Sequence, residues 1–117
     1  MTRHGLTRMT KVEVVVRGAD AAIVSNLLTS AGVTGYTSLS GVSGFGHHGY
    51  HEGRLLFNDT DTLALLIAVM PDERADAVIA GLTTMFEEHS GVMFVSETYV
   101  SRAAYFTGDA ADTAGAR

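Results

Sequence analysis

The chain has no cysteine, and that absence closes several routes at once. No disulfide, thiolate zinc site or thiol nucleophile can be built, and a reducing cytosol suits such a composition. Basic residues are scarce as well. Eight Lys and Arg stand against thirteen Asp and Glu, for a net charge of −5. General nucleic-acid binding runs on phosphate neutralisation by clustered cations, so it is disfavoured. No apolar run approaches the roughly 20 residues of a membrane span, and membrane insertion is not expected. The first ten residues carry charge without a hydrophobic stretch and do not read as a secretion signal. They are expected as a flexible lead, and the small, polar Gly108 to Arg117 as a flexible tail. Residues 11–107 are then the single domain.

What is present is a hydrophobic fraction of 46%, enough for one sizeable core in 117 residues. "KVEVVVR", Lys11 to Arg17, alternates and predicts a strand with one face buried. Gly18 to Ala31 carries Ile23, Val24, Leu27, Leu28 and Ala31 at helical spacing, and Gly32 follows as a helix stop. Val33 to Val42, rich in Thr, Ser, Tyr and Val, predicts a second strand. "TLALLIAVM", Thr62 to Met70, is nearly continuous in apolar residues. That pattern fits a central strand covered on both faces or facing a partner chain. Pro71 and Asp72 open a second helix with Ala75, Val78, Ile79, Leu82 and Phe86 on one stripe. "VMFVSETYV", Val92 to Val100, closes the series.

The order β-α-β-β-α-β predicts an α+β, ferredoxin-like sandwich, a four-stranded antiparallel sheet with both helices on one face. The other face, expected to include Val15, part of the Leu63 to Met70 run and Tyr36, would be bare and apolar, which points to association.

Between the two central strands lies "SGFGHHGYHEG", Ser43 to Gly53, with four glycines and three histidines in eleven residues. The connection, roughly 44–61, is longer than an ordinary hairpin loop, and long loops on a rigid scaffold often carry function. Gly44 and Gly46 are either turn glycines or a bare backbone whose N–H groups can approach phosphate oxygens. His47, His48 and His51 with Glu52 have the donor chemistry of a zinc, copper or nickel site, although adjacent histidines in one loop seldom converge on one centre. Asp20, Asp72 and Asp76 start helices and read as caps and first-turn acids. His89 reads as a solvated helix end, and Met85 and Phe86 as core. No pre-organised catalytic set can be argued, so the chain is read as a non-enzyme.

"GVSGFGHHGYHEG" resembles the base and start of the T-loop in PII signalling proteins. "VMPDERADAVIAGL" resembles that family's third strand entering its second helix, and "SGVMFVSETYVSR" its glycine-led fourth strand. The likeness spans roughly Lys11 to Arg102. It implies a homotrimer with adenine nucleotides in clefts between subunits. Position by position, Gly44, Phe45 and Gly46 match the T-loop base. Thr37 matches a nucleotide-contacting residue in type, Ser90 and Gly91 the loop before the fourth strand, and Arg102 a phosphate partner able to grip with two donors.

The departures are informative. His47 and His48 stand where the PII pattern has Arg-Gln, the loop is shorter, and the family's T-loop lysines and those before the fourth strand are missing. Glu87, Glu88 and His89 stand near the latter. This argues against 2-oxoglutarate sensing and favours ADP or AMP over ATP. Tyr50 lies where the family carries a modifiable tyrosine, but the deletion leaves its alignment loose. The pattern is most similar to the carboxysome-associated PII-like group, which implies bicarbonate as a second ligand. His47, His48, Gly49 and Arg54 would be its anion-binding residues, and a transporter or carboxysome component the protein partner. A second reading is a trimeric, CutA-like metal-binding protein that uses the histidine-rich loop. The first reading assigns no metal ligands.

Overall fold

A computed structural model describes residues 2–43 and 62–108 of the chain, and the fold is given by these. The elements are β1 (Thr2–Arg3), β2 (Leu6–Arg17), α1 (Ala21–Ser30), β3 (Tyr36–Val42), β4 (Leu63–Met70), α2 (Asp72–Met85), β5 (Gly91–Val100) and α3 (Ala103–Thr107). A 3-10 turn, Gly18–Asp20, joins β2 to α1. Across the sheet the order is β3-β4-β2-β5, with every neighbour antiparallel. Helices α1 and α2 cover one face through a shared core. This is the expected ferredoxin-like sandwich, with β1 and α3 added at its ends.

Alternation decides which residues enter the core. Val12, Val14 and Val16 of β2 and Ala64, Leu66, Ala68 and Met70 of β4 are buried under the helices. Val24 and Leu28 of α1 and Ala75, Val78, Leu82 and Met85 of α2 close over them, with Ile79 and Phe86 packed alongside. Ile23, expected on the buried stripe of α1, stays exposed. The apolar run of β4 is therefore two stripes. Its second stripe, Leu63, Leu65, Ile67 and Val69, is half-buried on the face without helices. Val15, Leu39, Val92 and Phe94 share that face through their register with β4 and β2, and Phe94 is 54% exposed. Tyr36 does not share it. Tyr36 pairs with Ala68, a buried helix-side residue, so it lies on the helix side of the free edge of β3.

The first strand is longer than its hydrophobic alternation suggests. It starts at Leu6 rather than Lys11, and β1 folds back on it through His4 and Gly5, both at positive φ. A two-residue hairpin loop needs that conformation, which glycine adopts freely and histidine more often than most residues. Residues 6–10, read from sequence as part of the lead, are thus sheet. Met9 is buried there, but Arg8 and Thr10 are held by polar contacts that leave no apolar alternation to read. Arg8 Nε donates to Glu97 Oε2 at 2.7 Å, Arg8 Nη1 to Asp72 Oδ2 at 2.9 Å, and Thr10 Oγ1 to Asp72 Oδ1 at 2.5 Å. Asp72 stands in the first turn of α2, as read from sequence, and ties the helix to the sheet, while Pro71 occupies the N-cap position.

Candidate functional site

The sheet has a loop end, where β2 and β3 finish and β4 and β5 begin, and a far end, where β5 finishes. At the loop end, Gly18 N donates to Thr62 O at 2.5 Å, so the β2–α1 turn grips the residue just before β4. Nearby, α2 stops by tightening: Glu87 N bonds Thr84 O, while Glu88 N and His89 N both bond Met85 O. The chain then enters β5 through Ser90 and Gly91. Phe86, Glu87, Glu88, His89, Ser90 and Gly91 line an open cleft of about 280 Å³. Gly91 has a packing reason as well as a candidate binding role. A Cβ there would sit 2.5 Å from Phe86 Cε1 and 2.9 Å from Val16 Cγ1.

His89 is not a solvated helix end. Its Nδ1 lies 3.4 Å from Asp20 Oδ1, and Asp20 is 6% exposed. Asp20 stands at the N-cap of α1 without making a side-chain cap bond, and its Oδ2 has no hydrogen-bond partner among the described residues. Arg17 Nε, 3.9 Å from Oδ2, is the other cation beside it. The sequence reading of Asp20 as a cap is corrected accordingly, since the carboxylate faces the β5-entry loop instead of the first turn of its helix.

At the far end, Arg102 precedes α3. Its Nη1 donates to Tyr105 Oη at 3.2 Å, and its guanidinium lies 5.5 Å from the centre of the Tyr105 ring. The terminal carbonyls of α3 are satisfied by side chains: Thr34 Oγ1 bonds Tyr105 O at 2.5 Å, and Arg74 Nη1 and Nη2 bond Phe106 O at 3.1 Å and Thr107 O at 2.7 Å. Sequence reading missed this clamp. Its legible sign was Gly108, which ends α3 at φ 100° in the helix-stop position. Thr37 sits at the start of β3, paired with Ile67 on the helix-free face.

One chain therefore does not gather its described candidates. Ser90 and Gly91 lie at the loop end. Arg102 lies beyond the ten residues of β5, about 30 Å along the strand. Thr37 lies on the opposite edge strand, about 14 Å across the sheet from β5. Gly44, Phe45, Gly46, His47, His48, Gly49 and Arg54 lie outside the described residues, as do Tyr50, His51 and Glu52. Among the described residues no three His, Asp or Glu side chains come together as a metal set. No described helix is long and apolar enough to cross a membrane.

Residues 9–105 match the family described as Nitrogen regulatory protein P-II. The chain belongs to the P-II family. CPII, a nitrogen regulatory PII-like protein from Thiomonas intermedia K12, is 40% identical in a structure bound to ADP, AMP and bicarbonate. That match covers 87% of this chain and 96% of the CPII chain, with a TM-score of 0.78. A second CPII structure, bound to ADP and bicarbonate, is 39% identical over 86% of this chain and 96% of its own, at a TM-score of 0.74. A PII-like signalling protein from Thermus thermophilus shares the fold at 18% identity, covering 92% of this chain and all of its own, at a TM-score of 0.73. A comparison with curated protein sequences gave no match. The P-II family is one of signalling proteins, typically trimeric, and this chain is a PII-like regulatory protein.

Proposed function

We propose that this P-II protein is an adenine-nucleotide sensor whose site is shared by neighbouring subunits of a homotrimer. ADP or AMP is the first ligand and bicarbonate the second. The observation that carries this is the separation of the candidates within one chain. Ser90 and Gly91 stand at one end, while Arg102 stands some 30 Å away beside α3, roughly the length of β5. A nucleotide can touch both sets only if two chains supply them. The helix-free apolar face around Leu65, Ile67 and Phe94 supplies the contact that would bring the chains together. The Gly44–Gly46 backbone and Ser90–Gly91 of one subunit then meet Arg102 and Thr37 of its neighbour. CPII, 40% identical, holds ADP, AMP and bicarbonate.

In this reading the nucleotide orders the base of the 44–61 loop, and the ordered loop changes which partner binds. His47, His48, Gly49 and Arg54 supply imidazole, backbone and guanidinium donors for a small planar anion. The regulated partner is a component of inorganic-carbon metabolism, such as a transporter or a carboxysome protein. The test is Arg102→Ala with nucleotide affinity read by calorimetry. A lost charge-assisted hydrogen bond lowers affinity by about 1.5–3 kcal/mol. Unchanged affinity for ADP and AMP would remove Arg102 from the site.

A further inference from the structure

The loop end holds a titratable contact that nucleotide recognition does not use. Asp20 is buried at the N-cap of α1, and its Oδ2 finds no hydrogen-bond partner among the described residues. A buried carboxylate oxygen without a hydrogen bond is costly unless cations stand against it. Two do: Arg17 Nε at 3.9 Å from Oδ2, and His89 Nδ1 at 3.4 Å from Oδ1. A guanidinium keeps its charge at every physiological pH, whereas an imidazole does not. Part of the compensation for Asp20 is therefore switchable.

The position of the contact gives the switch something to act on. Asp20 belongs to the turn whose Gly18 N bonds Thr62 O. His89 belongs to the loop that carries Ser90 and Gly91. The pair thus joins the β2–α1 turn, the entry to β4 and the entry to β5 at one junction. We propose that Asp20 and His89 form a protonation-dependent tie that fixes the Glu87–Ser90 loop and so makes ligand binding at the loop end pH-dependent. The proposal rests on the nucleotide reading for its consequence but not for its existence. Among the described residues, the charged groups around the imidazole are Asp20 and Arg17 from the β2–α1 turn and Glu87 and Glu88 from its own loop. The two glutamates line the open cleft in contact with solvent, so Asp20 is the buried partner.

The sign follows from the charges. Imidazolium against a carboxylate favours the folded state, so the tie is present while the imidazole is protonated and lost when it is neutral. His89→Asn removes it and His89→Arg makes it permanent. Ligand-free melting temperatures of wild type and both variants are measured at about pH 6 and about pH 8. Wild type should exceed His89→Asn at the lower pH and equal it at the higher, while His89→Arg keeps its advantage at both. When Asp20→Asn is introduced into both wild type and the His89→Asn variant, the difference between them should disappear. Calorimetric titration with ADP adds the second readout: His89→Asn weakens binding about two- to fivefold at the lower pH only. Identical pH dependence of melting in wild type and His89→Asn overturns the tie whether or not ADP binds. Absence of ADP binding at either pH, with the melting pattern intact, overturns the nucleotide reading instead. A melting pattern as expected with ADP affinity that ignores His89 overturns the link between the two.

Discussion

Small residues around the entry to β5 do two jobs that are easily confused. Gly91 was legible as part of a ligand-approach loop, yet its nearest neighbours are Phe86 and Val16 of the core. A methyl group at 91 would overlap an aromatic edge and a valine methyl, so Phe86 at the end of α2 and Val16 of β2 would have to shift. Gly91→Ala is therefore expected to destabilise the fold by about 1–3 kcal/mol, the usual range for overpacking. Urea unfolding measures this directly, and a wild-type midpoint would show that Phe86 turns aside at little cost. The same scale holds the main correction to the sequence reading. Nothing in the spacing of Asp20 and His89, which stand in distant parts of the chain, announces that they meet. Only the fold brings the start of α1 beside the end of α2.

Elements whose evidence is hydrophobic periodicity were legible, and elements held by polar contacts were not. β4 was placed within a residue by its nearly continuous apolar run, and the start of α2 by Pro71, Asp72 and a stripe that repeats at period 3.6. The first half of β2 carries Arg8 and Thr10 where the buried stripe of Val12, Val14 and Val16 would need apolar residues, so the periodic signal stops short of the strand. The helix α3 is too brief for periodicity, and Thr34 and Arg74 stabilise it from distant segments. At the candidate site, residue types and order pointed to the family, but the division of Ser90 and Arg102 between two ends required the strand lengths. The Asp72 junction of β2, β5 and α2 also gives a pH test. The Thr10 hydroxyl, then the Arg8 guanidinium, hold Asp72 below the usual carboxylate range. A depressed carboxylate stabilises the fold above its unfolded value, near 3.9, and that contribution is lost as pH falls through the folded value. Asp72→Asn should therefore be less stable than wild type near pH 7, with the gap closing below about pH 4. A gap of constant size down to about pH 2 would contradict a role for the Asp72 charge.

The whole molecule is asymmetric, and the proposed association would cover its bare face. Helices cover one face of the sheet, and the other carries Val15, Leu39, Leu65, Ile67, Val92 and Phe94. Glu13 pairs across to both Ile67 and Phe94, and Lys11 lies 4.0 Å from it, so a polar strip adjoins the apolar patch. Phe94→Glu should leave the helix-side core intact and release folded monomers. Light scattering would then report one chain mass with an unchanged circular dichroism spectrum. A stable trimer in the variant would place the subunit contact elsewhere. On the proposed reading Arg102 and Ser90 belong to one site only in the assembly, and nucleotide binding should vanish with it. The most direct test of this account is a calorimetric titration of the intact assembly with ADP, with and without bicarbonate, at fixed pH and ionic strength and with chloride as the control. Saturable binding of one ADP per chain is expected, tightened by bicarbonate, and linkage requires ADP to tighten bicarbonate by the same factor. Absence of ADP binding, or affinity indifferent to bicarbonate, would contradict a coupled sensor of nucleotide and inorganic carbon.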